Sequence, residues 1–203
     1  MSDNYCASRT KSYAAAEVAD ADGVKTSFAT VQAPVVLVVA DWNGAAITAA
    51  GLLDLPRTIT ITRSNNANQF SVAPIVLTGL RSGATVTESL TPATDDGNDI
   101  LRGTQAFDFL TQIDIPTQGG TGGSFLIGVQ DICAPGNGTF FGVELAAVGT
   151  LNVGYGGNDL AVGNTDAIPI VTAGAIKPIN PRRILTSAAL AAPTTVGLTV
   201  YIP

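Results

Sequence analysis

The residues able to do chemistry are few, and most of them are carboxylates. Asp95, Asp96 and Asp99 fall within TDDGND, and Asp20 and Asp22 within DADG. Clustered carboxylate oxygens are what a calcium ion takes, and a facing pair of carboxylates is what hydrolysis of a glycosidic bond takes. Neither segment has the calcium-loop pattern with its terminal Glu. Asp beside Gly is also ordinary turn chemistry, so structural turns are the expectation at both. Glycosidase clefts carry aromatic side chains, whereas aromatics are only 6% of this chain, with Trp42 its single tryptophan.

The chain has no histidine. The commonest general base and metal ligand is therefore absent, which excludes Ser-His-Asp and Cys-His catalysis. Cys6 and Cys133 are the only cysteines. Two distant thiols make neither a disulfide framework nor, without histidine, a zinc site within one chain; free thiols are the expectation. The glycine-rich GGTGG at 119–123 lacks the Gly-Lys-Ser/Thr of a phosphate loop, and GYGGND at 154–159 completes no dinucleotide fingerprint. No catalytic, cofactor-binding or metal-binding residue and no cofactor is assigned. A non-enzymatic role is expected.

Charge narrows the partners. Lys and Arg number 10 and Asp and Glu 16, a net charge of −6. Phosphate binding needs a basic patch, and the densest basic cluster, Arg182-Arg183 with Lys177, is too small to supply one, so nucleic acid is not an expected partner. The opening MSDNYCASRTKSY has no apolar core, and the longest apolar run, VVLVVA at 35–40, is far below spanning length; neither a signal peptide nor a membrane partner is expected. Charged residues are 13% of the chain, about half the usual share. A surface so lightly charged suits a protein that lies against neighbours.

The elements that would position any site are strands. Residues 1–30 are polar and Ala-rich and read as an N-terminal arm, extended or briefly helical, with DADG as a turn and VKTSFATV as a strand after it. From 31 to 203 the pattern is that of one all-β domain. APVVLVVADW (33–42) is a continuous β-branched run, fitting a strand buried on both faces or bent between sheets. RTITITRS (57–64), FSVAPIVLTGL (70–80), GATVTESLT (83–91), FDFLTQIDIP (107–116) and GSFLIGVQDI (123–132) follow, with further short strands in the last third. Gly, Pro, Asn or Asp punctuates most gaps, which argues an antiparallel β-sandwich or jelly roll.

DLPRTITITRS (54–64) is the most informative stretch. Pro56, which lacks an N–H, suits a strand start or an edge. Period-two alternation sends Ile59 and Ile61 to a core, and Thr58, Thr60 and Thr62 to solvent, a second sheet or a neighbouring subunit. Arg57 and Arg63 bracket the run and are expected to pair with carboxylates across the sheet or across a subunit interface, with Arg57 dispensable for folding of the monomer.

That strand entry, followed by GATVTESLT, GTQAFDFLTQIDIP, GGTGGSFLIGVQD and the closing PRRILTSAALAAPTTVGLTVYIP, resembles small virion proteins of tailed bacteriophages, over about residue 52 to the end. The resemblance implies a capsid decoration (cement) protein on the outer head surface, made in the host cytoplasm and then assembled as a homotrimer against the major capsid protein. It supplies no catalytic residue. Two other readings stand beside it: a neck, tail or baseplate component, and a carbohydrate-binding or adhesion module, for which Trp42 and the four tyrosines would be the aromatic supply.

Overall fold

Alternation in RTITITRS becomes a strand because its isoleucines have a core to enter. Ile59 and Ile61 are fully buried, each worth about 1.5–3 kcal/mol when removed from water. The structure, a computed structural model, describes residues 11–13, 20–64, 68–133, 142–145, 149–154, 165–170, 177–178, 183–185 and 198–202, with side-chain surroundings for 20–64 and 68–130.

The described strands, in chain order, begin with β1 (Lys11–Tyr13), β2 (Asp20–Ala29) and β3 (Val35–Val38), the last followed by a 3-10 turn at Val39–Asp41. Next come β4 (Leu52–Ser64), β5 (Ile75–Arg81), β6 (Ala84–Leu90), β7 (Asp99–Ile115) and β8 (Ser124–Cys133). Then follow β9 (Gly142–Leu145), β10 (Gly149–Gly154), β11 (Thr165–Ile170), β12 (Lys177–Pro178), β13 (Arg183–Leu185) and β14 (Leu198–Ile202). No α-helix occurs among the described residues. The protein is all-β and antiparallel, of the sandwich-like class.

Two sheets form. The smaller runs β1-β14-β9-β12; the larger has ten strands, in the order β11-β10-β13-β8-β4-β7-β5-β6, with β2 also on β8 and β3 also on β7. β7 is the spine. Leu37 of β3 and Leu77 of β5 both face Ile113, so they hold opposite edges of β7, while β4 pairs with its earlier half from Asp99 to Phe109. One face of this sheet carries the core: Leu37, Ile59, Ile61, Leu77, Phe107, Leu110, Ile113, Phe125 and Ile127, joined by Val24, Trp42 and Phe70 from outside the central strands. Phe125 stacks on Phe28 and meets Phe70 edge-on. The β5–β6 hairpin closes through Ser82 and Gly83, both at positive φ (52° and 80°), as a two-residue turn matched to strand twist requires.

Three expectations are corrected. The strand expected at VKTSFATV is present, but it begins earlier, at Asp20, and belongs to the main sheet rather than to a separate arm, with Val24 in the core. DADG is no reversing turn but a bulge: Asp20 stands opposite Val129 and Lys25 opposite Ile127, so a step of five residues on β2 matches a step of two on β8. Its backbone is satisfied elsewhere, since Gly44 N–H donates to Val24 O and Ala46 N–H to Gly23 O. Finally, 33–42 is not buried on both faces. β3 covers only Val35–Val38, pairs only with β7 among the described strands, and leaves Val36 and Val38 outside. It ends where the Asp41 carboxylate accepts the Val38 N–H at 2.9 Å and starts the 3-10 turn.

Candidate functional site

The arginines of the opening motif are scaffold. Arg57 is 0% exposed and bidentate to Asp54, Nε to Oδ1 at 3.0 Å and Nη2 to Oδ2 at 2.6 Å, and donates Nη1–H to Gln130 O at 3.3 Å. Arg63, also buried, makes the same fork with Asp99 of β7, both bonds 2.7 Å, donates to Thr94 O, and lies over the Phe70 ring. The expected pairing across the sheet holds for Arg63; Arg57 instead pairs within its own strand, with Asp54 three residues before it. Because a fully buried guanidinium is part of the packing, loss of Arg57 is expected to lower stability.

The other singled-out residues disperse. The Asp99 carboxylate is taken by Arg63, and Asp95 contributes its carbonyl to Phe70 N–H at 3.4 Å. Among the described residues no group of three or more His, Cys, Asp or Glu could hold a metal ion. Trp42 is 7% exposed and donates Nε1–H to Leu110 O at 3.3 Å, so its ring is core and offers no stacking platform to a sugar. Cys6 and the tyrosines at 5 and 155 lie outside the described residues, and Cys133 ends β8.

What the sheet does assemble is an outer face, opposite the core. Two features of it stand out, and a third lies on the opposite side of β6.

At one end, Val36 and Val38 of β3 line up with Asp114 and Gln112 of β7 and then with Val76 and Thr78 of β5. Val36 is 55% and Val38 41% exposed. In this patch Gln112 and Asp114 bond to each other at 2.7 Å.

Near the middle, Arg102, Thr60 and Gly128 form one row and Ile100, Thr62 and Leu126 the next. The three ion pairs among the described residues are Arg57–Asp54, Arg63–Asp99 and Arg81–Asp108. Arg102 is in none of them; it donates Nη1–H to the buried Gln130 Oε1 at 2.6 Å. A recess of about 160 Å³ opens here, lined by Asp20, Ala21, Thr60, Thr62, Ile100, Arg102, Val129 and Gln130. Its wall requires glycine at 128: a Cβ there would lie 2.1 Å from the Asp20 carbonyl oxygen, so only glycine lets the Asp20–Ala21 backbone approach β8 this closely. The Asp20 carboxylate is turned elsewhere, accepting the Asp22 N–H at 3.1 Å. Asp22 in turn has its carboxyl held above its ordinary value by the hydrogen bond and the charge of Asp20.

On the core-facing side of β6, opposite Leu77 and between Val86 and Leu90, the Glu88 carboxylate reaches the stretch of β7 that lies beyond the end of β5. Its Oε1 accepts Thr104 N–H at 2.6 Å, Thr104 Oγ1–H at 3.0 Å and Gln105 N–H at 3.1 Å.

Comparison with protein-family models, with curated proteins and with solved structures finds no match. Function therefore rests on the face just described and on the motifs of the sequence. Neither Arg102 nor Glu88 carries a local sequence signal; both matter through strand register, which the alternation around them hid. No helix of the described residues is long and apolar enough to cross a membrane.

Proposed function

We infer that this chain is a non-enzymatic structural protein of a virion, a decoration or cement protein that stabilises the major capsid protein lattice from outside. The observation that carries the reading is the exposed pair Val36 and Val38 on an edge strand, in one row across β7 with Asp114 and Gln112 and then Val76 and Thr78. Exposed apolar side chains gathered on one flat face mark a contact surface, and a sheet face is suited to lying on a lattice. The buried arginine forks fit a rigid scaffold, and the sequence motifs resemble tailed-phage virion proteins. Copies, as homotrimers, each touch more than one capsid subunit, so that modest contacts add by avidity. The alternative placement, in neck, tail or baseplate, uses the same patch on a different lattice.

The test is co-sedimentation of the purified protein with emptied, expanded capsids and, separately, with tails of the virus that encodes it, alongside light scattering for mass. The expected result is a trimer that pellets with capsids and not with tails, and whose binding falls at least tenfold in Val36→Lys/Val38→Lys. Binding to tails alone assigns the alternative placement. A monomer that pellets with neither refutes the reading.

A further inference from the structure

In the Arg102 recess a cation outside the described ion pairs meets threonine hydroxyls and an apolar wall. Arg102 has one N–H anchored on Gln130, itself buried, and it stands across from Thr60 in the recess that Thr60 and Thr62 also line. A planar guanidinium with spare N–H groups matches a carboxylate bidentately. One positive charge, in a chain of net charge −6, suits a singly charged group better than a phosphate. The rest of the lining asks for more than a bare carboxylate. The Asp20 carbonyl oxygen stands over Gly128 and accepts a donor, the threonine hydroxyls donate and accept, and Ile100, Val129 and Ala21 present hydrocarbon. At about 160 Å³ the recess is far larger than the roughly 10–15 Å³ an ordered water needs and smaller than the roughly 300 Å³ of a drug-sized site. A ligand of one ring, with a carboxylate at one end, hydroxyls around it and a C–H face, meets every one of these groups.

We propose that this recess binds an acidic sugar unit of the uronic-acid class, with Arg102 on the carboxylate, Thr60, Thr62 and the Asp20 carbonyl on hydroxyls, and Ile100 against the ring's C–H face. Trp42 being core, charge and hydroxyl pairing take the place of the aromatic platform that neutral sugars use. The site lies apart from the Val36–Val38 patch and is independent of whether that patch meets a capsid.

The experiment is a nitrogen-15 NMR titration of the full-length protein with glucuronate, glucose and acetate, and with a short Glu-containing peptide. The expected result is saturable movement of the Arg102 Nε–H and Gln130 side-chain amide signals with glucuronate, none with glucose, and at least tenfold weaker binding of acetate and peptide. Arg102→Gln, at an exposed position, and Thr60→Val, nearly equal in volume, each weaken glucuronate binding at least tenfold with the rest of the spectrum unchanged. No saturable shift with glucuronate, or an equal response in Arg102→Gln, overturns the proposal. So does peptide or acetate binding as tightly as glucuronate, which makes the recess a reader of protein carboxylates instead.

Discussion

Replacing Arg57 by Ala tests the scaffold role directly. The wild-type side chain is 0% exposed, whereas Asp54, its partner, is 32% exposed. Truncation removes three hydrogen bonds, leaves the Gln130 carbonyl without one donor and opens a side-chain-sized void beneath β8. Breaking a fully buried ion pair costs about 3–5 kcal/mol. Asp54 retains water on one side and is partly solvated after the loss, which lowers the expectation to about 2–4 kcal/mol. In a domain of this size each kcal/mol moves the melting midpoint by roughly 2–4 °C, so a fall of roughly 4–16 °C is expected, read by differential scanning calorimetry with urea unfolding as a check. Arg102→Ala, exposed and outside any described ion pair, is the control and should move the midpoint by no more than about 2 °C, as surface changes of under about 0.5 kcal/mol do. Arg57→Met, which keeps the apolar stem, should recover part of the loss. A double-mutant cycle with Asp54→Ala separates the pair from the packing. If Arg57→Ala melts within 1 °C of the wild type, by order of magnitude the burial assigned to it is wrong.

Three further outcomes follow from the same sheet. Glu88→Ala strands the Thr104 and Gln105 N–H groups and should cost about 2–3 kcal/mol, with hydrogen exchange faster at both amides; Glu88→Gln, which keeps an acceptor oxygen, should cost less. Ile59→Asp places a carboxylate in the core and should abolish the cooperative unfolding transition, whereas Thr62→Asp on the outer face should leave it; a normal melt for Ile59→Asp would reverse the assigned register. Asp20→Ala removes both the hydrogen bond and the charge that raise Asp22, so the Asp22 midpoint in a carboxyl carbon-13 titration should fall toward its ordinary value, and Asp22 should ionise at lower pH than in the wild type.

Strands with clean alternation were legible in advance. Residues 57–64 lie in β4, 83–91 frame β6 and 123–132 match β8 within a residue or two, because there one face meets the core and the other does not. The failures have physical causes. β7 begins at Asp99, eight residues before the expected FDFLTQIDIP, since its first half is held by pairing with β4 rather than by apolar content. DADG looks like a turn because Asp and Gly favour one, but β8 on one side and residues 43–46 on the other hold it in the sheet. Thr60, expected to face solvent, another sheet or a neighbour, is 5% exposed, in the recess it shares with Asp20 and Ala21. Its burial depends on segments distant in sequence meeting, which local pattern does not encode. The recess is invisible for the same reason: Asp20, Thr60, Arg102 and Gln130 come from four strands.

The position of β7 in the chain also sets an order for biogenesis. β3, β4 and β5 are all synthesised before it, yet in the large sheet each needs β7 as a hydrogen-bonded neighbour. Until the ribosome has passed Ile115 and β7 has cleared the exit tunnel, Leu37, Ile59, Ile61 and Leu77 have no completed sheet to share. β4 must then still await β8 on its other edge. Pairings this distant are slow to close and leave apolar strands open meanwhile. A nascent chain stalled before β7 should therefore remain protease-sensitive and chaperone-bound, and one released after β8 should be the first able to assemble the β3–β8 core.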